Sequence, residues 1–166
     1  MSIEEVLLTA MDIEKEGEMF YSKASMEVRD PVARNTLRFL SEEEKRHLKF
    51  IESVYNTLKK GEDVEGIKKE FHNVKVFPDY PEFISGVKAS EKDFKILMEA
   101  KEIEKRSKEF YQNKMSEVEG EREREIIEML AKEEEKHYRW IEYLESYVEE
   151  HGYWTGIDKY FSLNGA

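Results

Sequence analysis

Apolar residues recur every three or four positions through four long stretches of this 166-residue chain, with polar residues filling the positions between them. That period puts the apolar side chains on one stripe of an α-helix. The spacing predicts helices over about 2–28, 31–60, 90–118 and 121–150. Their boundaries carry signals of their own. Asp30-Pro31 reads as an N-cap followed by a first-turn proline, Ser90 with Asp93 as a capping box in its Asp form, and Gly120 as the turn into the fourth helix. Residues 61–89 hold Gly61, Gly66, Pro78, Pro81 and Gly86 and form a long connection, with one short helix expected near 63–72. The end of the chain, 151–166, is expected as an aromatic-rich tail or short helix docked on the bundle or on a second subunit.

The two halves repeat. Residues 10–57 align on 100–147 without a gap, with 15 identities in 48 positions. The chain is therefore two helical hairpins, about 2–60 and 90–150, joined by one long crossover. Two units are too few for a stacked solenoid, so the expected fold is all-α: one domain over 1–150, a four-helix bundle of duplicated hairpins with a single crossover.

The stripes contain residues that do not belong in an apolar core. The first helix reads Leu7, Ala10, Glu14, Gly17, Tyr21, Ala24, and the third reads Leu97, Ala100, Glu104, Ser107, Tyr111. The second reads Leu37, Leu40, Glu44, His47, Ile51, Val54, and the fourth Ile127, Leu130, Glu134, His137, Ile141, Leu144. Glu-x-x-His thus occurs twice, 90 residues apart, as Glu44/His47 and Glu134/His137. Glu14 and Glu104 keep the same offset. Glu14 and Glu44 are equidistant from Arg29, and Glu104 and Glu134 from Glu119, so each hairpin brings its three groups to one height. Packed about a pseudo-twofold axis, all six converge.

A buried, unpartnered carboxylate costs several kcal/mol, and four together repel as well. No Lys or Arg sits on the stripes to neutralise them. Two divalent cations would, since four carboxylates carry −4 and neutral imidazoles add nothing. Oxygen-rich ligation with two imidazoles suits iron or manganese. The spacing makes Glu44 and Glu134 bridging ligands, His47 and His137 terminal, and Glu14 and Glu104 terminal carboxylates of a dinuclear site. Tyr21 and Tyr111, two turns along the same faces, read either as plain core residues or as hydrogen-bond donors to a ligand carboxylate. His72 and His151 lack a Glu at the matching spacing and are read as non-ligands.

Composition narrows the function further. The chain is 39% charged with a net charge of −11, which argues against nucleic acid or an anionic membrane as partner. There is no cysteine, so disulfides and thiolate-bound iron are out. With no apolar run of membrane-spanning length and no basic start of a signal peptide, the expectation is a cytoplasmic protein.

The stretches Ile13-Glu14-Lys15-Glu16-Gly17-Glu18-Met19-Phe20-Tyr21 and Glu43-Glu44-Lys45-Arg46-His47, with Ile103-Glu104-Lys105, Phe110-Tyr111 and Glu133-Glu134-Glu135-Lys136-His137, resemble the motifs of the rubrerythrin family in the ferritin-like superfamily. The resemblance covers about 10–57 and 100–147. It implies two iron ions as cofactor, with manganese or zinc as substitutes, and reduction of hydrogen peroxide as the activity. It also implies that Tyr21 and Tyr111 bond ligand carboxylates. Two departures matter. A rubredoxin-like four-cysteine centre has no counterpart here, so electrons would come from a separate donor protein such as a rubredoxin. Peroxidase-type members also carry a further Glu one turn after the third-helix ligand, where this chain has Ser107. Ferroxidase chemistry on dioxygen in an iron-handling protein is the alternative, and a structural metal-binding module a third. A homodimer is expected, and the long crossover would permit hairpin exchange between subunits.

Overall fold

The computed structural model describes residues 2–72 and 84–155. In chain order these form α1 (Ile3–Glu27), α2 (Pro31–Lys59), α3 (Glu65–His72), β1 (Ile84–Lys88), α4 (Glu91–Met115), α5 (Glu121–His151) and β2 (Tyr153–Thr155). Four long helices make an all-α bundle of two antiparallel hairpins, α1–α2 and α4–α5.

Local chemistry sets the helix ends. Ser2 accepts from the Glu5 amide while Glu5 accepts from the Ser2 amide at 3.0 Å, a reciprocal box that opens α1. Ser90 and Asp93 do the same for α4. Asp30 is fully buried and accepts from the amides of Val32 and Ala33 at 2.8 and 3.0 Å, so the tight turn between α1 and α2 caps α2 as it forms. At the other end of α5, Gly152 takes φ +72°, and its N–H closes on Val148 O at 2.8 Å. A left-handed residue there ends the helix and turns the chain out of its axis.

The core lies in two apolar clusters, each drawing on all four long helices. One holds Tyr21 and Ala24, Leu37 and Leu40, Leu97 and Ala100, and Trp140, Ile141 and Leu144. The other holds Leu7 and Ala10, Ile51 and Val54, Tyr111, and Ile126, Ile127 and Leu130. Along every long helix, the residues between its two contributions are the carboxylates and histidines singled out above. The bundle is thus apolar at both ends and ionisable in the middle.

The short crossover helix expected near 63–72 is α3. Its Phe71 is buried, stacks on Phe50 with ring centroids 4.1 Å apart, and lies 5.8 Å from the His47 ring. Lys68 bridges Glu65 and Glu125, both at 2.5 Å, and so ties α3 to α5. The end of the crossover differs from a plain loop: β1 pairs antiparallel with β2, Ile84 opposite Thr155 and Lys88 opposite Tyr153, with an irregularity between. The first residues of the expected aromatic-rich tail or short helix thus include a strand, Tyr153–Thr155, whose pairing with β1 satisfies its backbone groups. Residues from 156 onward lie outside the described residues. No described helix is long and apolar enough to cross a membrane.

Candidate metal centre

All six residues picked out by spacing meet at mid-bundle, and none is more than 2% exposed. The helices place them in two related halves. His47 Nδ1 lies 3.2 Å from Glu14 Oε2 of its own hairpin and 3.0 Å from Glu134 Oε1 of the other. His137 Nδ1 lies 3.6 Å from Glu104 Oε2 of its own hairpin and 3.6 Å from Glu44 Oε1 of the other. The two imidazoles stack, centroids 5.3 Å apart and planes 11° from parallel. One donor atom from each of Glu44, His47, Glu134 and His137 falls within 4.8 Å of the others. The arrangement is a pseudo-twofold one, each histidine facing the outer carboxylate of its own hairpin and the Glu-x-x-His carboxylate of the other.

The tyrosines cross between hairpins. Tyr21 on α1 donates to Glu104 on α4 at 2.5 Å, and Tyr111 on α4 donates to Glu14 on α1. Each phenol fixes one oxygen of an outer carboxylate and leaves the other facing a histidine. Burial, then the charge of Glu104 or Glu14, pushes the two phenols well above their ordinary value. They stay protonated donors at neutral pH.

The carboxylates divide by role. Burial, followed by the charges of Glu134, Glu14 and Glu104, pushes the Glu44 carboxyl well above the usual range. Glu134 is raised likewise, by burial and then by Glu14 and Glu104, with His137 offsetting only part. Burial also pushes Glu14 upward, but the charge and hydrogen bonding of His47, with hydrogen bonds from Glu44 and Tyr111, outweigh it and hold Glu14 low. At His137 burial opposes the charged form, yet Glu104 and Glu134 prevail and raise its pKa. Burial and mutual repulsion thus favour the protonated forms of the two central carboxylates, Glu44 and Glu134.

The cluster offers donors that could hold metal. Glu44 Oε1, Glu104 Oε2, both oxygens of Glu134 and both nitrogens of His137 are buried without a hydrogen-bond partner. Orphaned polar atoms of this kind are rare in native interiors, and here they converge. Glu14, Glu44, His47, Glu104, Glu134 and His137 are the residues that would hold such metal, and its positive charge would offset the charge of the four carboxylates.

Spacing alone missed a second layer behind the imidazoles. Arg46 Nη2 bonds Glu43 Oε2 at 2.7 Å and Glu133 Oε2 at 3.3 Å, so one guanidinium bridges the two hairpins. It also lies 3.4 Å from His47 Nε2 and 4.3 Å above the Phe71 ring. Glu43 Oε2 is 4.0 Å from His137 Nε2. Lys136 bonds Glu133 at 3.1 Å. Glu43 and Glu133 are related by the 90-residue offset, which was the available signal. Gly17 is buried on the stripe of α1. A Cβ there would sit 3.2 Å from Glu44 Oε2, so the glycine makes room for a central carboxylate. His72 and His151, read as non-ligands, are exposed.

Two antiparallel hairpins with one crossover and a buried carboxylate–histidine cluster at mid-height define a ferritin-like helical bundle. The family model for rubrerythrin matches residues 5–145; the chain belongs to the rubrerythrin family. A solved structure of a hypothetical protein from Pyrococcus furiosus is similar in fold, with a TM-score of 0.63 and 22% identity over 90% of this chain and 92% of that one. The chain matches no curated protein.

Proposed function

We propose that this protein is a non-haem di-iron oxidoreductase that reduces hydrogen peroxide to water with electrons from a separate donor protein. The observation that carries the reading is the convergence of two equivalent Glu/Glu/His sets, in which Glu44 Oε1, Glu104 Oε2, both Glu134 oxygens and both His137 nitrogens are buried without a hydrogen-bond partner. Membership of the rubrerythrin family supports iron as the metal. When bound, two ferrous ions would supply the two electrons and the Lewis-acid positions that peroxide reduction needs.

The chain's own residues supply the setting. Tyr21 and Tyr111 hold the outer carboxylates Glu104 and Glu14 in fixed rotamers, so little reorganisation is needed when ions arrive. The bracket of Glu43, Arg46 and Glu133 backs the histidines on their far side and joins both hairpins. The two apolar clusters keep bulk water from the ends of the site. Without cysteine the sequence holds no thiolate iron of its own, and a redox partner such as a rubredoxin would recharge the site. A homodimer is the proposed assembly, checked by analytical ultracentrifugation.

A ferroxidase using dioxygen is the second reading, favoured by one observation: Ser107 stands where a further carboxylate would make the set asymmetric. Anaerobic, iron-loaded, reduced protein mixed by stopped flow with equal concentrations of peroxide or dioxygen separates the two. Faster oxidation by peroxide is expected. Faster oxidation by dioxygen with continued turnover of added Fe(II) would select ferroxidation, and no acceleration over buffered Fe(II) by either oxidant would remove both.

A further inference from the structure

Between α1 and α4 lies a cleft of about 250 Å³ lined by Ile13, Glu16, Gly17, Ile103, Arg106 and Ser107. These six residues are three pairs related by the 90-residue offset: Ile13 with Ile103, Glu16 with Arg106, and Gly17 with Ser107. A cavity lined by equivalent pairs lies on the pseudo-twofold axis that relates them, and that axis also runs through the carboxylate–histidine cluster. The cleft therefore points at the middle of the centre.

Its floor is thin. Gly17 presents no side chain, and the space a Cβ would take ends 3.2 Å from Glu44 Oε2. Glu44 is 2% exposed, and its other oxygen has no hydrogen-bond partner. Ser107, the equivalent of Gly17, is also small and is 4% exposed. The half-buried Ile13 and Ile103 make apolar walls, while the exposed Glu16 and Arg106 carry opposite charges at the rim. The histidine side is covered instead, by Glu43, Arg46, Glu133 and Phe71.

We infer that the α1–α4 cleft is the entry port of the centre for molecules of two or three heavy atoms, and that Gly17 and Ser107 set its size limit. The inference rests on the proposed di-metal reading. The cleft has room for several waters, and Gly17, one of its lining residues, brings it close to Glu44. Peroxide is expected to enter, and an alkyl hydroperoxide with a bulky group is expected to be refused. The rim is neutral as a whole, so it neither repels a neutral oxidant nor draws in a polyanion.

The test uses Co(II)-loaded full-length protein and azide, three atoms in a line, followed by the change in the visible spectrum. Wild type and Ser107→Ala are expected to bind azide rapidly. Ser107→Val and Ser107→Ile should slow binding progressively, at least tenfold for Ile, with the Co(II) content per chain unchanged. The graded series guards against one variant that fails to fold. Azide binding at wild-type rate in a fully loaded Ser107→Ile protein, or no azide binding to wild type, would overturn the port. The same variants mixed with peroxide in the diferrous form separate the two ideas. Size-dependent azide entry without any peroxide reaction keeps the port and sinks the peroxidase. A peroxide reaction indifferent to residue 107 sinks the port and keeps the peroxidase.

Discussion

Replacing Tyr111 by Phe removes one hydroxyl and nothing else. The ring is fully buried in the second apolar cluster, so packing is retained and no cavity forms. What is lost is a hydrogen bond to the fully buried Glu14, whose carboxyl His47 holds low enough to be ionised. Hydrogen bonds to charged groups contribute about 1.5–3 kcal/mol, and the orphaned carboxylate oxygen cannot turn to water here. A metal-free Tyr111→Phe protein should therefore lose about 1.5–3 kcal/mol, a fall in Tm of roughly 3–10 °C for a chain of this size. The assay is urea unfolding of the two single variants and the double variant Tyr111→Phe/Glu14→Gln, which isolates the pair. The sign with pH follows from Glu14. Its folded-state pKa is depressed, so its contribution is present above the unfolded value of 4.5 and is lost as pH falls through the folded one. The Tyr111→Phe penalty should shrink over the same fall. A coupling below about 0.5 kcal/mol at neutral pH would refute the reasoning. Tyr21→Phe against Glu104→Gln is the symmetric control.

Arg46→Met should destabilise the metal-free protein by about 2–3 kcal/mol, because Glu43 and Glu133, 6% and 7% exposed, then face each other with Lys136 as the remaining cation. Equal urea midpoints for the variant and wild type would contradict the bracket. The central carboxylates give the opposite pH trend to Glu14. Glu44 and Glu134 have raised folded-state pKa values, so the stability they contribute is full below the unfolded value of 4.5 and is lost as pH rises through the folded ones. Metal-free wild type should weaken relative to Glu44→Gln/Glu134→Gln as pH rises above the unfolded value of 4.5, while its ion affinity rises, because cations displace those protons. Parallel stability profiles for the two proteins would count against this assignment.

The bundle was legible because its signal is periodic and long: twenty-five or more residues in each long helix repeat the same stripe. The six ligand candidates were legible for a related reason. Ionisable residues on a core stripe violate the pattern, and Glu14, Glu44 and His47 violate it in the same places as Glu104, Glu134 and His137. The bracket of Arg46, Glu43 and Glu133 was not, because a Glu or Arg beside the stripe reads like any solvated helix face until the partner hairpin is placed against it. The β1–β2 ribbon was hidden for another reason. Its strands come from segments far apart in the chain, and neither Ile84–Lys88 nor Tyr153–Thr155 is long enough to show a two-residue alternation. Gly17 read as a gap in a stripe, and its purpose needed the position of Glu44.

Two divalent ions are proposed to replace the missing positive charge among Glu14, Glu44, His47, Glu104, Glu134 and His137. Anaerobic Fe(II) titration by equilibrium dialysis, with metal and protein quantified on the same samples, tests this. Two ions per chain are expected, falling to one or none in Glu44→Gln/Glu134→Gln while the variant remains helical. A wild-type protein that binds no Fe(II), or a double variant that still binds two ions as tightly, would contradict it.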